Sequence, residues 1–414
     1  MDNPGPGPIV SGMKHDSDIL IAGGGLNGPV LALALARAGL SVTLVDAAGP
    51  TKGDAFDGRA YAIAAGSRRM LARLGLWGRL APDAQEMTEI KVTDGRAGEG
   101  PAPWWLHFDS AEIEDGPMGH MVEDRHLRAA LGAALAEAEG VTLRAPARVV
   151  AQVVEPGGVE VTLDAGEKLS AALLVGCDGR ASGTAARAGI RRQERGYDQS
   201  AITCAVTHEL PHRGVAHQFF MPGGPLAILP LRENRCSIVW SERSARAEAL
   251  AAMDDADFLD ALRPAFGDFL GEIRLEGGRG LFPLGLSLAE RFTAARLALV
   301  GDAAHGLHPV AGQGLNAGLR DVAALAQVLS EARRRGEDPG AGPVLDRYAR
   351  WRRFDVATLA LTTDLTTRLF SNDRPGLRLA RDLGLGAINA VAPLRRAMIR
   401  EAAGLTGDLP ELMR

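Results

Sequence analysis

Cysteine is scarce in this sequence: Cys177, Cys204 and Cys236 are the only three in 414 residues. They are odd in number, far apart and in no C-x-x-C pair. That argues against a disulfide framework, an iron–sulfur cluster or a zinc site, and fits a reducing, cytoplasmic setting. No run of about 18 apolar residues exists, so no helix is expected to span a membrane. No charge of one sign dominates: the formal net charge is −5, and nothing global points to nucleic acid. The first residues, MDNPGPGPIVSGMKHD, lack the charged start and apolar centre of a secretory signal and read as a disordered tail over 1–17. With 46% hydrophobic and 23% charged content, the rest is a globular chain long enough for two or three domains.

What is present begins at Asp18. Ile19, Leu20, Ile21 and Ala22 form an apolar run without polar alternation, as in a strand buried on both faces of a parallel sheet. The run ends in GGGLNG, which matches G-x-G-x-x-G on Gly23, Gly25 and Gly28. A Leu- and Ala-rich helix to Ala38, a stop at Gly39 and a second strand, Ser41 to Val45, follow. Gly23 permits the tight turn, Gly25 leaves room for a pyrophosphate, and Gly28 lets the helix pack on the strand; the helix N-terminus offers N–H groups to the phosphates. Asp46, 21 residues after Gly25, is placed to accept both hydroxyls of an adenosine ribose. The fingerprint alone leaves FAD and NAD(P) both open.

Further on, DGRAYAI leads into a helix over 67–74, and Arg59 within it reads equally as a solvated loop arginine or as a phosphate or flavin contact. Residues 81–117 carry short apolar pieces among Gly, Pro and acids, which suggests strands and loops away from the parallel sheet. A helix is expected over 122–139 and an antiparallel hairpin around Pro156-Gly157-Gly158. A second buried strand, Ala172 to Val175, ends in GCDGRAS, at the strand end where open parallel sheets bind ligands; Asp178 there is a ligand contact or a plain turn residue. Residues 191–279 read as an antiparallel sheet followed by a helical stretch over 245–266. His208 and His212 flank Pro211, which rules out one helix face and with it a metal pair.

A third strand, Leu297 to Val300, runs into GDAAHGLHPVAGQGLN. Leu315, Leu319, Val322, Leu325 and Leu329 keep helical spacing, so Gly312 and Gly314 sit at a helix N-terminus suited to an anionic ring or phosphate. Asp302, His305 and His308 as a metal triad fit this glycine-rich setting poorly, and no metal is expected.

The three motifs in this order resemble the FAD-dependent class A aromatic hydroxylases. DGRAYAI, VEDRHLRAAL, GYDQSAITCAVTH, QFFMPGGPLAILPL, SIVW, LFPL and TTDLTTRLFSN are similar to the ubiquinone-biosynthesis hydroxylases of the UbiH and UbiF type, over about 18–404. The resemblance implies an α/β fold of the para-hydroxybenzoate hydroxylase type. A Rossmann-like FAD-binding domain would comprise 18–80, 118–190 and 281–340, an inserted antiparallel-sheet substrate domain 81–117 and 191–280, and a C-terminal helical region 341–414.

Carried over residue by residue, the resemblance assigns Gly23, Gly25, Gly28 and Asp46 to the ADP moiety and Arg59 and Arg125 to cofactor contacts. Asp178 and Gly179 match the DG motif associated with FAD and the nicotinamide donor, and Asp302 the acid on the flavin-side ribose. Pro309, Gly312, Gly314 and Asn316 match the stretch facing the isoalloxazine. Asp46 stands where Glu is commoner, and Ala185 where many relatives place an arginine.

The implied chemistry is hydroxylation of an electron-rich ring through a flavin C4a-hydroperoxide, with O2 as co-substrate and NAD(P)H or another reductant as donor. No side-chain nucleophile is required; Pro309 and Gly312 would shape the oxygen site, and Tyr197, Gln218, Phe220 and Trp240 are candidates for the ring pocket. The implied substrate is a polyprenylated phenol, a membrane lipid, and the implied partners are other ubiquinone-biosynthesis proteins; the alternatives are a water-soluble aromatic substrate, or a non-catalytic flavin-binding member of the biosynthetic assembly. The basic, apolar segment 375–400 therefore reads as a peripheral contact with the inner face of the cytoplasmic membrane, as a docking site for a partner, or as a terminal helix pair packed on the body.

Overall fold

The computed structural model describes residues 15–49, 56–96, 100–306, 313–370, 386 and 388–414. The first strand, β1 (Ser17–Ala22), opens earlier than the sequence suggests, because Asp16 and Ser170 hydrogen-bond each other through backbone and side chain and tie the start of the chain to the sheet. After β1 come α1 (Asn27–Arg37), β2 (Val42–Val45), β3 (Ala60–Ala64), α2 (Ala65–Arg73) and α3 (Trp77–Leu80). Then follow β4 (Gln85–Met87), β5 (Glu89–Arg96), β6 (Gly100–Asp109), β7 (Gly119–Glu123), α4 (Asp124–Glu137) and β8 (Val141–Arg144). The hairpin β9 (Val149–Glu155) and β10 (Gly158–Leu163) leads to β11 (Lys168–Gly176) and α5 (Gly183–Arg187).

The middle section supplies β12 (Arg192–His208), β13 (Val215–Met221), β14 (Gly224–Leu231), β15 (Arg235–Arg243), α6 (Ser244–Ala251), α7 (Asp255–Phe266) and β16 (Ile273–Ala289). The chain returns through β17 (Thr293–Ala294), β18 (Leu297–Leu299) and β19 (His305–Gly306) to α8 (Gln313–Arg334), α9 (Gly342–Phe370) and α10 (Ala392–Ala402).

The cofactor half is a sheet of order β17-β18-β11-β1-β2-β8, in which β18, β11, β1, β2 and β8 run parallel. Ile19, Leu20, Ile21, Leu173, Leu174 and Val175 are fully buried, since both faces of the sheet are covered and leave no side for alternating polar residues. The carboxyl ends of β1, β11 and β18 therefore lie side by side, and the three sequence motifs emerge there together.

The second sheet has the order β19-β16-β12-β15-β14-β13-β5-β6. It draws β5 and β6 from the first third of the chain, through parallel pairing of β5 with β13. One face carries Ile202, Cys204, Ile228, Ile238 and Trp240 against Phe258, Leu262 and Phe266 of α7. The helical stretch expected over 245–266 comprises two helices, because Asp254 caps a new start by accepting the Asp257 N–H. The expected boundary at 280/281 falls within β16, whose pairing with β12 continues on both sides of it. A small antiparallel sheet, β3-β7-β4, stands between the two halves.

In the C-terminal region α10 packs Ile399 into a cluster with Leu106, Phe108, Ile113 and Met118, and Arg395 and Arg400 pair with Glu112 and Asp115. The described part of the basic segment thus behaves as a terminal helix seated on the body; 371–385 and 387 lie outside the described residues. Among the described residues no helix is long and apolar enough to cross a membrane.

His217 on β13 lies against Phe219 and Phe269, and burial, with Lys91 adding to it, pushes its imidazole down to about 4. The unfolded chain, with its histidine near the ordinary value of about 6.5, then binds more protons than the folded one between those limits. Stability from this group is complete above about pH 6.5 and declines by about 1.4 kcal/mol per pH unit as the pH falls toward 4. Replacing His217 by Phe is expected to flatten that acid limb, read from urea midpoints at pH 7 and pH 5.

Candidate active site

The first loop is shaped by what glycine lacks. Gly23 has φ +112°, and a Cβ on it would run into the Cys177 carbonyl; one on Gly28 would run into the Gly23 carbonyl. Loop, helix start and the end of β11 therefore meet backbone to backbone. The N-cap of α1, Leu26, makes no side-chain cap bond, which leaves the first-turn N–H groups for a ligand. Space is open beside Gly25. Asp46 is held by its own N–H on the Arg144 carbonyl and by the Ala147 N–H on its carbonyl, at 2.9 and 2.7 Å. Its carboxyl group lies over Gly24, 2.6 Å from where a Cβ would stand.

In the second loop the Asp178 side chain is used within the turn. The Asp178 carboxylate accepts bonds from Ser182 Oγ at 2.5 Å, Thr184 N at 2.9 Å and Thr184 Oγ1 at 2.8 Å. It closes the turn into α5, so what Asp178 offers to the site is backbone, packed against Gly23. Gly179 follows at φ +78°, and Arg180 donates to the Gly285 carbonyl. Ala185 is buried, with its N–H on Ser182 Oγ. The Cys177 thiol beside this loop is raised well above its ordinary value by burial, and is no nucleophile at neutral pH.

The third loop turns through Gly301–Ala303. Asp302 points its side chain to solvent while its carbonyl accepts from Arg192 Nη2 at 3.0 Å. Gly314 opens α8 with free space around it. Asn316 works as a clasp: Oδ1 accepts from Ala64 N at 2.9 Å and Nδ2 donates to the Ala62 carbonyl at 2.8 Å. Pro309 and Gly312, and with them His308, lie outside the described residues. His305 is committed to Asp321 and so is withdrawn from the triad considered above; among the described residues no cluster suits a metal ion.

Arg59 pairs with Asp57 at 2.6 Å and with the buried Asp124 at 3.1 Å, leaving its guanidinium at a half-exposed edge. Arg125 donates to Glu123 at 2.8 Å and stacks over Phe56, whose ring also receives Arg235. Arg235 in turn bonds Glu123 and Glu276 and links β15 to β7 across the two halves.

Of the four ring-pocket candidates, Trp240 is corrected. It pairs in register with Ile202 and Leu226, shares their face, and packs 6.1 Å from Phe258 in the core under α7. Alternation puts Gln218 and Phe220 on the face opposite His217 and Phe219, which contact Phe269 on the α7 side. Tyr197 lies at the irregularity in β12 between Gly196 and Gln199, half-buried. Asn27 escaped the sequence reading: its amide fills the space left by Gly301 and Gly318, joining the first loop to the third. Its place inside GGGLNG is the signal that could have found it.

A family model described as FAD binding domain matches residues 16–362. The chain belongs to the FAD binding domain family. It is 45% identical over 413 residues to ubiquinone hydroxylase UbiL of Rhodospirillum rubrum, covering 99% of this chain and 95% of that protein. To 3-demethoxyubiquinol 3-hydroxylase of Escherichia coli it is 37% identical over 396 residues, 95% of this chain and 100% of that one. The structure of p-nitrophenol 4-monooxygenase PnpA from Pseudomonas putida DLL-E4 has the same fold, with a TM-score of 0.79 and 19% identity over 96% of this chain and 100% of that chain.

The protein is thus an FAD-dependent monooxygenase, in a family for which O2 and NAD(P)H are typical. The residues present fit FAD: an uncapped helix start, open space at Gly25 and the Asp46 carboxylate over Gly24 form a cradle that a side chain at Gly24, Gly25 or Gly28 would obstruct. Bound there, FAD supplies the redox and oxygen chemistry; the chain binds, orients and shields.

Gly25→Val, which enters the open space without striking backbone, is expected to give folded protein that purifies without flavin, read from the ratio of flavin to protein absorbance. Trp240→Ala is expected to cost about 3–5 kcal/mol of stability with FAD still bound, measured by urea unfolding of the holoprotein.

Proposed function

We propose that this monooxygenase hydroxylates the aromatic ring of a polyprenylated phenol on the way to ubiquinone, with O2 as co-substrate and NAD(P)H as the transient donor. The observation that carries the reading is the 45% identity, along almost the whole of both chains, to a ubiquinone hydroxylase. The inner face of the second sheet is in keeping with it: Ala205, Ala216 and Leu231 form an apolar cluster there with Met87 and Met121, and Phe220 is buried on the same side.

On this reading Gly23, Gly25, Gly28 and Asp46 hold the ADP moiety. Gly179, the Asp178 backbone, Asp302 and Gly314 border the flavin, and Asn316 fixes α8 against β3. Arg59 and Arg125 stand at the cofactor's edge, and Pro309 and Gly312 shape the oxygen site. Tyr197, Gln218 and Phe220 face the ring. Excluding water and holding the ring in place are the protein's contributions to the reaction. The lipid substrate places the work at the cytoplasmic face of the membrane, in reach of other enzymes of the same pathway.

The test is the lipid extract of a strain lacking the gene, analysed by mass spectrometry. A prenylated phenol one hydroxyl short of the normal intermediate is expected to accumulate and would name the ring position. Normal ubiquinone with no such precursor would count against the proposal.

A further inference from the structure

Behind the third loop lies an ionic cluster with no access to solvent. The side chains of Asp321, His305 and Arg352 are 0%, 1% and 2% exposed. Asp321 Oδ2 accepts from His305 Nε2 at 2.6 Å and from the Gly301 N–H at 2.9 Å, and Oδ1 accepts from Arg352 Nε at 2.7 Å. Arg352 continues to Asp355 at 2.7 Å, which Arg320 approaches at 3.3 Å. Beside the cluster, the buried Tyr348 donates to the Leu299 carbonyl at the end of β18.

Burying a carboxylate costs several kcal/mol unless charge and hydrogen bonds offset it. Here three donors do so, and His305 and Arg352 keep Asp321 ionised by holding its carboxyl below the ordinary range. His305 Nδ1 is buried without a partner.

The three donors come from three different elements. Gly301 belongs to the turn after β18, His305 to β19 and Arg352 to α9, while Asp321 rises from α8. Gly301 has φ +62°, and a Cβ there would strike Asn27. The turn is thus wedged between the first loop and α8, and the Asp321 carboxylate holds it from behind. Asp302, the next residue, then carries its free side chain outward. Through Asp321 the N–H of the turn that precedes Asp302 is thus joined to two buried side chains of other elements.

We propose that Asp321 is a positioning residue for FAD: by gathering the Gly301 N–H, His305 and Arg352 it sets the Gly301–Ala303 turn, and with it the Asp302 carboxylate, before the cofactor arrives. Pre-setting the turn removes an ordering cost from binding, so its loss weakens FAD affinity even where the apoprotein stays folded. It also ties the Gly301–Ala303 turn to α9.

The experiment uses the full chain stripped of FAD, with Asp321→Asn, His305→Leu and His305→Gln variants. FAD affinity is titrated by flavin fluorescence at a temperature well below every apoprotein midpoint, so that lost stability by itself does not move it. Asp321→Asn and His305→Leu are expected to weaken FAD binding by about 10- to 100-fold, the equivalent of a hydrogen bond to a charged group. His305→Gln, which keeps an N–H donor toward Asp321, is expected to stay within about threefold of the wild type. Should Asp321→Asn fail to fold, the two His305 variants decide. An unchanged affinity in His305→Leu, or a His305→Gln as weak as His305→Leu, would overturn the proposal.

Discussion

Close approach of bare backbone at the ends of three parallel strands is the constraint on which the site depends. Gly23 meets the Cys177 carbonyl and Gly28 meets the Gly23 carbonyl, while Gly301 and Gly318 make room for the Asn27 amide. Each contact forbids a β-carbon, and together they bring loops from positions 23, 178 and 301 to one edge. The parallel order of β1, β11 and β18 makes this possible, because it puts all three loops at the same end of the sheet. A dinucleotide needs such an edge, with donors in the plane of the backbone and no side chains in the way.

Around that edge the charged residues divide by what they spend their bonds on. Asp46 and Asp302 keep carboxylates outward, whereas Asp178 and Asp321 are consumed inside the protein, one closing a turn and the other drawing three elements together. Residue type and motif do not distinguish these cases. Burial does: Asp321 is wholly enclosed and must be saturated with donors, while a half-exposed acid such as Asp46 loses little by facing water until a ligand comes. The arginines follow the same logic, with Arg192 and Arg235 bracing the two halves and Arg59 left at the rim.

The middle sheet shows how one strand can serve two tasks. β13, β14 and β15 send alternate residues to the α7 core and to the inner face, so neighbours in sequence have unrelated roles. Trp240 faces the α7 core and Phe220 the opposite side, although both are large buried aromatics in antiparallel strands. In the same way β5 and β6 join this sheet from far upstream, because an edge strand at β13 was open to a parallel partner.

Local chemistry was legible in the sequence wherever it is written in contiguous residues. The strand–glycine–helix unit with Asp46, the buried strands at 172–175 and 297–300, the helix after GQGLN and the break at Gly140 all follow from period, capping and steric rules that act within about twenty residues. Those rules were enough for a nucleotide-binding parallel sheet; the choice of FAD came from the resemblance carried by the three motifs together. What they could not reach are relations between distant segments: which face of β15 looks inward, whether the Asp178 carboxylate is free, and that Asp321 and Arg352 share a buried site with His305. WRRFD carries no periodic or motif signal for Arg352, since its role exists only once α9 is laid on α8. Those assignments rest on packing, where burial makes an unpaired charge too costly to leave and so dictates which groups must meet.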